Sequence, residues 1–578
     1  MSDFKFEKVG GVSIHQPSYF FSILVWWLLL IWTYSFSWPQ VPDDWKNLIL
    51  YSGAGVIFFI QLYQKKRSLS FLINPISFCL IFYFITCFLS SLRGLATYEG
   101  MIEVSRIFLW IGLAWSLSFL EKKEWLLIAR FSTLSAALAA LINVFQLRGI
   151  QTWDLFLKPF FNANFPPIGH ISYFGAFMAA HIPLSILLGV SKKKSQKIFW
   201  WGMAVFIFWG LWISGTRSAI VGLGSAFIVS LCLLKRLKLL SWKKFVVVIL
   251  GTLSLLIIIR WLQPHNLRGD STSERISLMK KIQDGFNEEN MNKLSSSRWS
   301  GYISTIYMIR DRPLLGWGTS SFRFIYPEYD KKNSFPGLTN LVSSWYMHPH
   351  NEIVNQGAEN GLMGLTFFLG FWGSLFFYCW KYLKSISADF ENKTWMICAM
   401  SGVMILWVTC QFDTNYTFPL TRLMMAFYLG IVINFLRNTI SSSIKIKMNP
   451  LFLYIIVFAT TLFQAAYDYS LYAVQQSKGR VGDDVLFWSR RAFVTAPFAF
   501  ESLYTFAMAE RDFGNREYAE KAMDSLAEHF PQVPMVLFEV ARFRLSQGRA
   551  WEAKTMLQQA ISNAPNFEAA QNLLKTLP

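Results

Sequence analysis

The stretch HPHNEIVNQGAENGLMG, His348 to Gly364, runs directly into LTFFLGFWGSLFFYCW, which ends at Trp380. Two histidines, an amide and a carboxylate therefore stand just before an uncharged run that starts at Gly361 and is long enough to cross the ~30 Å hydrocarbon core of a bilayer. The pattern predicts a membrane-spanning helix with a reactive cluster at its entrance. Histidine exchanges protons near neutrality, so its place at a membrane surface bears on chemistry.

The rest of the chain has the same character. Its 578 residues are 53% hydrophobic, 17% aromatic and 15% charged, far more apolar than a soluble protein of this length. Apolar runs of spanning length fall near 18–37, 46–64, 71–90, 104–120, 125–147, 170–190, 198–214, 218–234, 245–263, 361–380, 395–412, 417–436 and 451–472. The expected fold class is all-α, a polytopic bundle of about 13 spans. The first run is too long and too aromatic, and lacks the small-residue site, for a cleaved signal peptide.

A formal charge of +19 would suit a polyanion partner, but the basic residues form short clusters in alternate loops. Lys65 to Arg67, Lys122 and Lys123, Lys192 to Lys197, Lys235 to Lys244, Lys381 and Lys384, and Arg437 to Lys447 each follow an even-numbered run. They report orientation rather than nucleic-acid binding, and the positive-inside rule makes these loops cytoplasmic. The expected organisation is a cytoplasmic N-terminus (1–17), nine spans (18–263), a large periplasmic loop (264–349), four spans (350–472) and a periplasmic soluble helical domain (473–578). All six cysteines lie in or at the ends of apolar runs, which leaves the two outer segments without a disulfide framework or a cysteine metal site.

In the tail, Pro497, Pro531 and Pro565 recur at about 34 residues, as do Gly514 with Gly548 and Ala519 with Ala553. The tail resembles a short tetratricopeptide array, whose concave face would hold a protein partner. Packing on the membrane domain is the alternative. In the long loop, ISTIYMI has helical spacing and PLLGWGTSSF reads as turns, so the loop is expected to be folded rather than a linker.

The candidate chemical groups collect on one side of this topology. His350 and Asn351, after Pro349, sit where a helix would enter the membrane, with His348 and Glu352 beside them. Arg217, in WISGTRSAIVG, lies in a tight outer turn, where a charge is tolerated if a partner or an anionic ligand offsets its insertion cost. Arg298, Arg310 and Arg312 lie in the loop on the same side, and an arginine fork suits phosphate. Structural histidines, a snorkelling Arg217 and solvated loop arginines are the plain alternatives.

The order SGTRSA, then SSRWSGY and RDRPLLGWGTSSF, then HN, nine residues and GLMG resembles the O-antigen ligase superfamily over about residues 200–370. That superfamily comprises O-antigen ligases, O-antigen polymerases and bacterial protein O-oligosaccharyltransferases. The resemblance implies transfer of a glycan from undecaprenyl diphosphate to an acceptor hydroxyl outside the bacterial inner membrane, with no cofactor and no metal. It makes His350 the base and Arg217 and Arg298 the groups that stabilise the departing diphosphate. His348, Asn351, Glu352, Arg310, Arg312, His170 and Asp413 are candidate substrate-binding residues, Asp413 being equally suited to capping a helix. The acceptor is lipid A-core, a protein or a growing glycan, and the tail is suited to a protein partner. The chain departs from the family at Tyr173, where many relatives carry asparagine, and its Phe418-Pro419 step matches only loosely.

Two other classes fit parts of the pattern. A flippase would also use many spans and a basic cavity, but transporters commonly show repeated halves and a midplane site, and no such internal symmetry is visible here. A bare anchor for the tail would need only one span.

Overall fold

The computed structural model describes residues 44–64, 69–147, 171–190, 193–237, 241, 298–330, 348–385, 389–413, 418–437, 440, 444–565 and 567–577. Nearly all of them are helical, as the composition led us to expect. In chain order they form α1 (Asp44–Gln64), β1 (Leu69–Ile73), α2 (Pro75–Arg93), α3 (Thr97–Leu117), α4 (Lys122–Leu147), α5 (Ile171–Leu188), α6 (Lys194–Ser214) and α7 (Arg217–Arg236). Then come α8 (Arg298–Asp311), α9 (Phe322–Asp330), α10 (Glu352–Lys384), α11 (Phe390–Thr409), α12 (Pro419–Leu436), β2 (Ile444–Met448) and α13 (Pro450–Ser477). The tail follows as α14 (Asp483–Thr495), α15 (Phe500–Phe513), α16 (Arg516–His529), α17 (Pro534–Ser546), α18 (Ala550–Asn563) and α19 (Glu568–Lys575).

Among the described residues, eight helices are long and apolar enough to cross a membrane: α2, α3, α4, α6, α7, α10, α12 and α13. Expected spans at 46–64 and 170–190 fall on shorter apolar helices, Asn47–Tyr63 and Ser172–Leu188, and that at 395–412 falls on α11. The runs at 18–37 and 245–263 lie outside the described residues, as do His170 and loop residues 264–297 and 331–347. A bilayer-facing surface is visible in the side chains. Leu451, Ile455, Phe458 and Leu462 form an exposed stripe on α13, and Phe78, Ile81, Phe82 and Ile85 form another on α2. Such stripes would be aggregation hazards in water and are the normal outer face of a membrane bundle.

Local signals explain where the helices begin. Asn74 caps α2 by accepting from the Ile76 and Ser77 amides, and Pro75 occupies the first helical position. Asp389 caps α11 through the Asn392 amide, and Pro419 and Pro450 open α12 and α13. The mostly buried helix α12 is the centre of the bundle. Its Arg422 carbonyl accepts from Trp110 Nε1 at 2.9 Å, and its Asn434 amide donates to the Ser118 carbonyl at 2.7 Å, so α3 and α12 run parallel. A two-stranded antiparallel ribbon, Leu69 opposite Met448 through Ile73 opposite Ile444, adds a small β element to the helical architecture. It ties the α1–α2 connection to the α12–α13 connection, both of which carry basic clusters.

Helix α10 is broken at the start of its apolar part. Gly361 has φ +66° and ψ −173°, a conformation that is essentially restricted to glycine. The freed backbone groups are satisfied by the loop after α8: Leu362 N–H donates to the Pro313 carbonyl at 2.6 Å, and Trp317 and Gly318 N–H donate to the Ala358 and Glu359 carbonyls at 3.0 and 2.9 Å. Ser90 on α2 completes the seam, its hydroxyl lying 2.7 Å from both the Leu315 and Glu359 carbonyl oxygens with one hydrogen to share between them. Unpaired backbone at membrane depth is costly, so PLLGWG acts as a stitch across the break. A Cβ on Gly361 would lie 2.2 Å from the Leu314 carbonyl oxygen. Gly361→Ala is therefore expected to destabilise the protein by at least about 2–3 kcal/mol, read as a lowered unfolding temperature in detergent. An unchanged unfolding temperature would sink this account.

The C-terminal helices stack in antiparallel pairs and dock on the bundle. Phe324 of α9 packs edge-on against Phe500 (5.2 Å between ring centroids) and beside Phe530, and Ala96 joins the same core. The Phe500 amide donates to Glu99 Oε1 at 2.7 Å, and Arg323 pairs with Glu501. Burial works against the Glu501 charge, but the Arg323 guanidinium holds its carboxyl below the usual range. The long loop and the tail therefore touch, which places them on the same side of the membrane.

Candidate active site

The chain supplies His350 from the last residue but one before α10. Asn351 is the N-cap of α10, accepting from the Val354 amide at 3.1 Å, and His350 just ahead of it has φ +55°. That left-handed conformation is uncommon for a side-chain-bearing residue, and it sets the direction of the imidazole. His350 Nδ1 lies 3.2 Å from Asp413 Oδ1, just beyond the end of α11. Asp413 is buried, with 5% of its side chain exposed, whereas the His350 side chain is 29% exposed. An ionised carboxylate can only accept, so the shared hydrogen resides on Nδ1 and Nε2 is the basic nitrogen.

Arg298 meets the same carboxylate from α8. Its Nη2 is 3.8 Å from Asp413 Oδ2, and its Nη1 donates to the Phe412 carbonyl at 2.6 Å, at the negative end of α11. Tyr302, one turn further along α8, is in the fields of both Arg298 and Asp413. Burial raises its hydroxyl above the ordinary value, so it stays protonated as a donor. Neither Tyr302 nor the pairing of Asp413 with His350 is visible in the spacing of the sequence.

Arg217 opens α7 after the tight turn Ser214–Gly215–Thr216 and is exposed, with no ion pair among the described residues. Gly222, further along α7, packs on the Ile405 carbonyl and Thr409 of α11, one turn before Asp413. The antiparallel contact puts Arg217 and Asp413 at the same end of neighbouring helices. Tyr173, the family departure, stacks on Phe418 at 4.3 Å between centroids, so the start of α5 and the Phe418-Pro419 step meet at this end as well.

The other expected residues go elsewhere. Arg310 and Arg312 lie at the far end of α8, ~18 Å along the helix axis from Arg298. Arg310 pairs with Asp311 and covers the Tyr307 ring, and Arg312 covers Trp317 within the stitch. Glu352 is buried, accepts from Gln356 Nε2 at 2.7 Å, and its amide donates to the Cys410 carbonyl, a helix-to-helix clamp. Burial pushes His348 down to about 4, with Glu103, Arg323, His350 and Arg422 in its field, so it is neutral at physiological pH. The two histidines thus divide: His350 pairs with Asp413, and His348 is held uncharged near a second cluster.

That second cluster went unread in the sequence. Arg422, one turn into α12 and 3% exposed, bonds to Glu103 of α3 and to the Tyr51 hydroxyl of α1. Arg106 continues it to Asp468 of α13 at 2.9 Å, and Gln464 donates to the same carboxylate at 2.8 Å. The only signal would have been four ionisable residues inside apolar runs, which are expensive there unless paired. Among the described residues no three His, Cys, Asp or Glu side chains are grouped as a metal site.

Residues 202–369 match the O-antigen ligase family model. The matched segment holds Arg217, Arg298, His348 and His350, the break at Gly361 and its stitch, and it ends before Asp413 and Arg422. The match supports the O-antigen ligase superfamily, and with it a multi-pass membrane glycosyltransferase of ligase or polymerase type. A search of curated proteins returns no match.

Proposed function

We propose that the protein transfers a glycan en bloc from undecaprenyl diphosphate to an acceptor hydroxyl at the periplasmic face of the bacterial inner membrane. The acceptor in this reading is lipid A-core or a surface glycan. His350 Nε2 takes the proton of the acceptor hydroxyl as its oxygen bonds to the anomeric carbon of the donor. The bond from that carbon to the phosphate oxygen breaks, and undecaprenyl diphosphate leaves with the added negative charge. Arg217 and Arg298 stabilise that charge where a membrane surface excludes much of the water. The observation that carries the reading is the His350–Asp413–Arg298 grouping, which joins a base, its orienting carboxylate and a guanidinium at one end of the bundle.

The docked tail favours a second reading, a protein acceptor. Arg323–Glu501 and Glu99–Phe500 fix the helical domain to the same end of the bundle as His350, where it could present a polypeptide. Purified protein in nanodiscs, supplied with undecaprenyl-diphosphate-linked glycan and each acceptor class in turn, separates these readings. Glycan on lipid A-core with release of undecaprenyl diphosphate is expected. Transfer only to a protein supports the second reading, lengthening of the donor glycan marks a polymerase, and no donor discharge with any acceptor rules out a transferase.

A further inference from the structure

The face of the tail that turns away from its own core carries a feature outside the catalytic reading. After the last span, residues 478–482 lead into α14, which folds back along α13. Trp488 lies 5.8 Å from Tyr472, and Arg491 donates to the Tyr469 hydroxyl at 3.4 Å. Further on, Ala496 and Ala499 pack with Tyr467 and with Ile102 of α3. The elbow between α14 and α15 is therefore level with the first turns of the spanning helix α3 and with the tyrosine-rich last turns of α13, just past its exposed apolar stripe.

At that level the elbow is apolar outward. Val494 is 80% exposed and Phe498 57%, and Phe487 lies on the same stripe two turns before Val494. Arg491 stands between them, its guanidinium 4.3 Å from the Phe487 ring and without a carboxylate partner among the described residues. Asp483, Arg490, Arg491, Tyr469, Phe487 and Val494 line a groove of about 590 Å³, in which two guanidinium groups face one carboxylate. Apolar tips beside a guanidinium match the boundary between acyl chains and phosphate headgroups, and chain continuity with α13 brings that boundary to this height.

We propose that the α14–α15 elbow inserts into the headgroup–acyl boundary of the bilayer that holds the spans, with Arg491 on a phospholipid phosphate. Val494 and Phe498 enter the acyl edge, and the elbow clamps the tail against α9. The inference rests on the spanning helices alone and stands whether or not His350 is a base.

The test uses the full chain in nanodiscs, with the exposed Cys232 replaced by serine and a nitroxide placed at Val494→Cys, Phe498→Cys or, as a solvent reference, Trp551→Cys. At positions 494 and 498 collisions with oxygen are expected to exceed those with a water-soluble nickel chelate, and at 551 the order reverses. Chelate-dominated collisions at 494 and 498 would overturn the proposal, and exclusion of both reagents would overturn it in favour of a protein covering the elbow. Arg491→Gln is expected to lower the preference for fluorescent phosphatidylglycerol over phosphatidylcholine on the order of fivefold. An unchanged preference removes the phosphate contact.

Discussion

His350→Ala is expected to reduce glycan transfer by about 10²–10⁴-fold, with membrane insertion and unfolding temperature unchanged. The imidazole is nearly a third exposed and packs no core, so its removal costs little stability. Asp413→Asn is the sharper variant. An asparagine can present an N–H to His350 Nδ1 and so favour the tautomer with its hydrogen on Nε2, which leaves no basic nitrogen for the acceptor. It is expected to lower kcat with little change in KM for the donor. Asp413→Glu should restore part of the rate. Transfer by either His350→Ala or Asp413→Asn at the parent rate would remove the pair from the mechanism.

Glu103→Leu is expected to destabilise the protein by about 3–5 kcal/mol, because it strips Arg422 of its carboxylate at the centre of the bundle. Arg422 is 3% exposed, with the Tyr51 hydroxyl as its other side-chain partner in this cluster. Replacing both members, Glu103→Leu with Arg422→Leu, is expected to recover part of the loss, since the buried ion pair is then removed as a unit. Unfolding temperatures of the two single variants and the double variant in one detergent form the cycle. Additive losses would mean that the pair is not coupled and that the cluster is held by something else.

The fold was largely legible because helices are written locally. The uncharged run after Gly361, the caps at Asn74, Asn351 and Asp389, and the prolines that open α12 and α13 each act within a few residues of where they stand. The ribbon ties together two of the connections that carry basic clusters, α1–α2 and α12–α13. In the long loop the described residues 298–330 form two helices joined by turns, PLLGWG holds the helix break together, and of the loop arginines Arg312 lies over Trp317 of that stitch.

What the sequence determined by itself is a many-spanned helical bundle with His350 at the entrance to a span, and a segment that matches a glycan-transferring family. Tertiary structure alone decided that Asp413, 63 residues further on, orients His350. It alone joined Arg422 to Glu103 across 319 residues and set the tail against α9. The physical reason is range. Periodicity and capping are fixed within a turn or two, whereas an ion pair between helices depends on which faces pack and at what depth, and no local pattern carries that information.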